Sequence, residues 1–392
     1  MMNILFVWTG VTGYMGDCWR ALACVPGVRL KILIQEKRRP DTQYSPADVL
    51  RSLDFTLLYE DDDMDRDGFR KQLAVFSPDV IFIVGWRAKL SRFIAGDKAF
   101  GQIPKILIFD LPFAWTLKKL IAPIVLRGYL NQFKACFVPG ARAAEYARWL
   151  GFKNEQIEQG LFAVRMHNII ISSNDTNEGR TVVRRSPNAP RQGGRPMPDL
   201  PADRAQVGQP EPHVVGTGFL FVGRYVKEKR LDVLVKAYCR YRKLVEAINE
   251  KPWDLSCCGM GPDQHYLRHV EGIIDLGFCQ PEQVASLRMN HGAFVLTSEF
   301  DPWPLVIAEA CAAGLPVICT EACGSHVELL HGNGIVCKTH DVEALAHAML
   351  KIYTMSDQER VVMGRKGLDL VKPYSCEAWS ERVRECVNAR MR

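Results

Sequence analysis

The stretch Ser298-Glu299-Phe300-Asp301-Pro302-Trp303-Pro304-Leu305-Val306-Ile307-Ala308-Glu309-Ala310 carries two carboxylates that packing alone does not call for. Glu309 lies within an otherwise apolar helical run, where a buried, unpaired carboxylate is strongly unfavourable. A polar ligand hydrogen-bonded to it would justify its presence. Backbone N–H groups at the same helix start, with the helix dipole behind them, suit an anion such as a phosphate. The local pattern predicts a buried strand at 293–296, Asp301 as the N-cap, prolines in the first turn, Gly314 as the stop and a next strand at 316–319.

Cations stand at a second predicted strand end. Gly223-Arg224-Tyr225-Val226-Lys227-Glu228-Lys229-Arg230 follows an apolar run at 219–222 and precedes Leu231, Leu234, Val235 and Tyr238, spaced as on one helix face. Arg224 offers a planar fork and Lys229 a point charge for phosphate oxygens, at the strand ends where open α/β sheets bind ligands. Taken alone, the cluster equally fits a solvated basic helix start. Gly259 and Gly261, Gly277 before Phe278, and Gly324 before Ser325 each permit close backbone approach by a ligand.

The order of these pieces between residues 218 and 340 resembles the nucleotide-binding domain of retaining glycosyltransferases of the GT-B fold, in family four of that class (glycosyl transferases group 1). The resemblance rests on Phe221-Val222-Gly223-Arg224 with Lys229, Cys258-Gly259-Met260-Gly261-Pro262, Leu276-Gly277-Phe278, the Asp301–Glu309 block, the run at 310–317 and Gly332-Asn333-Gly334-Ile335-Val336. It implies a nucleotide-diphosphate sugar as donor, a hydroxyl acceptor (a glycan or lipid-linked glycan), and no metal or other cofactor. By the same resemblance Asp301 contacts donor-sugar hydroxyls, Glu309 the ribose, and Arg224 and Lys229 the pyrophosphate. Gly10, Gly13, Gly223, Gly259, Gly261, Phe278, Pro302, Trp303, Pro304 and Leu305 line the donor site. The chain departs from the family pattern at three places. Asp301 replaces the usual Glu, Pro304 replaces a Gly and so removes one N–H, and Phe109 stands where many members have His, leaving Asp110 as the acceptor-side polar group.

Competing signals exist. Thr9-Gly10-Val11-Thr12-Gly13-Tyr14-Met15-Gly16, with Glu36 downstream, resembles the dinucleotide loop of short-chain dehydrogenases, and Tyr225 to Lys229 matches that family's Tyr-x-x-x-Lys. A non-catalytic nucleotide-binding protein of the same fold is a further alternative. The acidic run from Glu60 to Asp67 contains Asp-x-Asp patterns that could hold a divalent cation, although dense acidic runs are usually solvated loops. The segment from Trp115 to Arg127 is aromatic, apolar and basic, as a peripheral contact with an anionic bilayer requires. A helix packed on a sheet explains it as well.

Positioning these groups takes two α/β domains, and 392 residues provide for them. Strand-like runs at 4–8, 30–34, 55–59, 80–84, 105–109 and 135–138, then at 219–222, 254–258, 272–276, 293–297 and 317–319, predict two doubly wound parallel sheets of five or six strands. The expected organisation is an acceptor domain at 1–171, a polar linker or insertion at 172–212, a donor domain at 213–374 and a helix at 375–392 returning to the first domain. A net charge of +6 is too mild to argue for nucleic acid. Thirteen scattered cysteines without a CxxC pair favour a reducing compartment, and the N-terminal apolar run reads as a first strand instead of a signal peptide. These features together point to a cytoplasmic protein.

Overall fold

A computed structural model describes residues 1–37, 49–60, 62–166 and 216–391. The segment expected as a linker, 172–212, lies outside the described residues.

The first sheet comprises β1 (Met2–Thr9), β2 (Val28–Glu36), β3 (Phe55–Tyr59), β4 (Val80–Val84), β5 (Lys105–Ile108), β6 (Ala135–Val138) and β7 (Ile157–Gln159), in the order β3-β2-β1-β4-β5-β6-β7. The second comprises β8 (Phe219–Val222), β9 (Leu255–Cys258), β10 (Ile273–Gly277), β11 (Ala293–Leu296), β12 (Val317–Thr320) and β13 (Gly334–Cys337), in the order β10-β9-β8-β11-β12-β13. Every pairing is parallel. Parallel strands covered on both faces need near-continuous apolar runs, and Val80-Ile81-Phe82-Ile83 and Ala293-Phe294-Val295-Leu296 are such runs, buried throughout.

Among the described residues the sheets have seven and six strands, one more in each than the runs read from the sequence. The additions, β7 and β13, are edge strands. Ile157-Glu158-Gln159 pairs on one side only and stays partly exposed, so nothing demanded the apolar run by which a strand is read from sequence.

The two domains share an apolar cluster. The last helix, Cys376–Met391, lies against the first domain, with the buried ring of Trp379 6.0 Å from Phe6 and 6.5 Å from Phe137. Val164 donates its N–H to the Tyr374 carbonyl at 2.8 Å, and Trp303 packs between Phe162 (5.7 Å) and Tyr374 (5.3 Å).

Strand order reverses direction between β1 and β4 in the first sheet and between β8 and β11 in the second. At such a switch point neighbouring loops diverge and open a crevice at the carboxyl ends of the strands. The loops after β8 and β11 are those that carry Lys229 and Asp301.

Candidate active site

Local chemistry fixes the β8 and β11 loops against each other. Thr297 donates its hydroxyl to the carbonyls of Lys229 (3.0 Å) and Arg230 (3.2 Å), and the Glu299 N–H donates to the Glu228 carbonyl at 2.8 Å. Arg230 adopts left-handed backbone geometry at φ +52°, and two bonds of 2.8 Å to Asp232 and one of 2.9 Å to Glu299 clamp its guanidinium. With the turn so held, the Lys229 ammonium bonds the Asp301 carboxylate, both side chains being only about one-seventh exposed. A Cβ added to Gly223 would lie 3.9 Å from Lys229 Cε, so the bare glycine flanks the lysine stem.

Asp301 is not the N-cap. The helix is Leu305–Ala312 with Pro304 at the cap position, and the prolines precede it. A residue before proline is driven into extended backbone, so Pro302 and Pro304 delay the helix start past the second of them. Asp301 instead joins a bridge to Cys323, and its carbonyl accepts the Gly324 N–H at 2.8 Å, which frees the side chain to meet Lys229. The stop at Gly314 is as the sequence indicates, with φ +69° and its N–H on the Cys311 carbonyl at 2.9 Å.

Glu309 is not an orphan. Its carboxylate accepts from Arg288 of the helix Pro281–Asn290, and the arginine's charge also reaches the Cys258 thiol at the end of β9. The ion pair therefore stands beside the Gly259 turn, and the carboxylate remains one-third exposed. Arg224 is exposed and, among the described residues, no side chain joins it to the Lys229–Asp301 pair. The ring of Trp303 is buried between the domains, donating its indole N–H to Glu328 at 3.2 Å, so any donor contact there is left to the backbone. Phe278, directly after β10, is half-buried. The close approaches at Gly259, Gly261 and Gly324 are made by neighbouring loops. Cβ atoms there would strike the Gly223 carbonyl, the Tyr225 backbone and the Pro302 carbonyl respectively.

The first domain supplies the facing wall. A cleft of about 330 Å³ is lined on one side by Pro112, Phe113, Ala114, Arg142 and Glu145, and on the other by Glu299, Phe300, Asp301, Pro302 and Ala322. Phe300, half-exposed into this space, drew no notice in the sequence because a lone aromatic beside a strand end has no distinguishing pattern. Asp110 follows β5. Its surroundings raise its pKa above the usual carboxylate range, chiefly by burial and further by the negative charge of Asp301 across the cleft. Water still reaches the group, so the crowding is that of a cleft wall and not of a sealed core. Tyr14 stands close by, its phenol pushed up by burial and by Asp110, which brings the first glycine loop to the same place. Gly10 has φ +72°, Gly13 opens the helix Gly13–Ala23, and both have open space where a Cβ would stand. Phe109 is buried against Trp86 (5.8 Å) and Tyr146 (6.0 Å).

Glu328, which the sequence did not single out, clasps the two walls. One oxygen accepts the Ala141 N–H at the start of the helix Ala141–Trp149 (2.8 Å), and the other accepts the Trp303 indole. Arg142 adds a 2.7 Å bond to the Glu321 carbonyl. A helix N-terminus attracts a carboxylate, but no sequence pattern tells which distant one arrives.

The dehydrogenase signals dissolve. Tyr225 is fully buried with its hydroxyl on Asp275 at 3.0 Å, off any helix it could share with Lys229. Glu36 accepts the Val11 N–H at 2.8 Å and so braces the glycine loop from behind. In the acidic run, Asp61 lies outside the described residues, Asp62 accepts the Tyr59 N–H at 3.2 Å and Asp65 caps the helix Arg66–Phe76 through the Gly68 N–H at 2.8 Å.

A raised carboxyl pKa carries a linked stability effect. The folded state of Asp110 holds its proton more tightly than the unfolded chain does, so its contribution is most favourable at acid pH and is lost as pH rises through the folded value. Because Asp110 is exposed to solvent, Asp110→Asn is expected to raise the melting temperature only slightly at pH 7 to 8 and leave it unchanged near pH 4, while slowing any reaction that uses the carboxylate. Equal shifts at both pH values would remove the electrostatic origin.

Residues 213–369, which make up most of the second domain, match the family described as Glycosyl transferases group 1. A glycosyltransferase of Methanocaldococcus jannaschii is 25% identical over 177 residues, which is 43% of this chain and 43% of that protein. The glycogen synthase of Mycobacterium tuberculosis is 28% identical over 141 residues, 34% of this chain and 33% of the synthase. The chain thus spans less than half the length of the curated relatives it matches. Among solved structures, Anabaena HepE in complex with UDP and glucose superposes with a TM-score of 0.66 at 12% identity, over 99% of this chain and 100% of that one. At that identity the likeness speaks for the fold alone, and the fold is GT-B.

Proposed function

We propose that the chain is a retaining, metal-independent glycosyltransferase of family four. It moves a sugar from a nucleotide-diphosphate sugar to a hydroxyl of a glycan or lipid-linked glycan. The observation that carries this reading is the Lys229–Asp301 pair at the switch point of the second sheet, facing Asp110 across the cleft. The UDP and glucose held by the HepE structure on the same fold support the donor class.

In this reading Lys229, with Arg224 on the same turn, neutralises the departing diphosphate, a fixed electrostatic device that needs no metal. Asp301 turns from Lys229 toward the sugar hydroxyls as the phosphate takes over the ammonium. Glu309, held by Arg288, accepts from the ribose. The acceptor hydroxyl enters beside Asp110 and attacks C1 on the leaving-group face; the C1–O bond to the diphosphate breaks, the new glycosidic bond forms, and the hydroxyl proton passes to the leaving phosphate. Configuration at C1 is kept.

The test is turnover with UDP-, GDP- and ADP-sugars and sugar acceptors in the presence of EDTA, with the anomeric configuration followed by NMR. Transfer with retention is expected, and Arg224→Ala and Glu309→Ala should each weaken nucleotide-sugar affinity in calorimetry. Inverted product, activity that EDTA abolishes and a divalent cation restores, or no binding of any nucleotide sugar would overturn the proposal.

A further inference from the structure

The helix Leu117–Val125 presents its apolar side to solvent. Only Ala122 in it is buried, while Leu117, Ile121, Ile124 and Val125, spaced as one helical stripe, face outward. Exposure reaches 74% at Leu117, 78% at Ile124 and 81% at Trp115 just before the helix. A helix packing on a sheet would put these side chains inward and charges outward. Here the inner side is pinned by other means. Pro123 cannot donate to the Lys119 carbonyl, which accepts the Trp149 indole N–H instead at 3.1 Å. The Lys119 ammonium bonds the Pro112 carbonyl and lies 5.4 Å from the Tyr146 ring centre.

Charge says what covers the stripe. From Leu111 to Ala144 there is no Asp or Glu, but there are Lys118, Lys119, Arg127, Lys134 and Arg142. Lys118 and Arg127 are exposed at the two ends of the stripe, and exposed Arg92 lies close enough to affect Tyr129 beside it. An apolar face ringed by cations suits a surface that is apolar inside and anionic at its rim. A second copy of the chain suits it poorly, because a two-fold contact would set these cations against their own copies. Among the described residues no helix is long and apolar enough to cross a membrane, so the segment would lie in the interface plane.

We propose that the face formed by Trp115, Leu117, Ile121, Ile124 and Val125 docks on an anionic lipid bilayer. The face adjoins the cleft: Phe113, which lines it, packs 5.2 Å from Trp115 and 5.3 Å from Trp149. Docking therefore holds the cleft mouth at the bilayer surface. Where the transferase reading holds, this makes the acceptor a lipid-anchored one presented at that surface.

The experiment is co-sedimentation of the full chain with vesicles of phosphatidylcholine alone and of phosphatidylcholine with phosphatidylglycerol, at low and high salt, beside nucleotide-sugar calorimetry. Binding is expected to the anionic vesicles, weakened by salt and abolished in Ile124→Glu/Val125→Glu. It should fall about fivefold for each of Lys118→Gln and Arg127→Gln. Both substituted pairs are exposed, so the variants should keep their melting temperature and nucleotide affinity. Equal binding to both vesicles, no binding to either, an unaffected Ile124→Glu/Val125→Glu variant, or a dimer that this variant dissociates would each overturn the docking proposal. None of these outcomes bears on transfer to a soluble acceptor, and loss of nucleotide binding would leave the vesicle result standing.

Discussion

Replacing Lys229 with methionine is expected to lower kcat by about 10²–10³-fold, the range for removing one fixed group aimed at developing transition-state charge. Methionine keeps most of the stem that lies beside Gly223 and removes only the ammonium. The charge on a diphosphate grows as its bond to the sugar breaks, so the loss falls on kcat more than on KM. The fold should survive. Asp301 loses its ion pair, but it borders a cleft that water enters, so the stability cost is on the order of 1–2 kcal/mol. Steady-state kinetics with a saturating acceptor would check this. A raised KM at unchanged kcat would make Lys229 a ground-state anchor, and unchanged values of both would remove it from the site.

What the sequence disclosed follows from where each residue sits in the fold. Central parallel strands are covered on both faces, so Val80–Val84, Ala135–Val138 and Phe219–Val222 could be read to the residue. Edge strand β7 has one ladder neighbour and two polar residues in three, so that signal was absent, while β13 is a short Gly-Ile-Val-Cys run, also with one ladder neighbour. Strand-end glycines were visible, but not what approaches them. A glycine admits a ligand or a neighbouring loop equally well, and Gly259 and Gly261 admit the Gly223–Tyr225 turn. Glu309 is neither fully buried nor unpaired, because about one-third of its side chain is exposed and Arg288 pairs with it. Arg288 stands on a different helix, and pairing across helices leaves no trace in a single chain's spacing. The same holds for Glu328 on the Ala141 N–H and for Asp110 opposite Asp301, contacts that depend on how two domains meet.

Gly324→Ala is expected to cost about 1–3 kcal/mol in stability and about 10²-fold in turnover, although residue 324 carries no functional group. Its φ is not among the positive ones, so the backbone itself would accept alanine. The contact is the obstacle. An added Cβ would sit within bonding range of the Pro302 carbonyl oxygen, 2.8 Å from the Pro302 carbonyl carbon and 3.4 Å from the Asp301 oxygen. None of these is the end of a flexible side chain, so the Asp301–Pro302 backbone must move. The Gly324 N–H bond to the Asp301 carbonyl, 2.8 Å long, would be strained with it. Displacement here carries the Asp301 carboxylate away from Lys229, and a misplacement of about 1 Å is enough for a loss of that size. Gly324→Ala and Lys229→Met thus cost comparable stability, and each should lose turnover while remaining folded. A fully active, fully stable Gly324→Ala protein would show that the Asp301 loop does not need the support it receives from this residue.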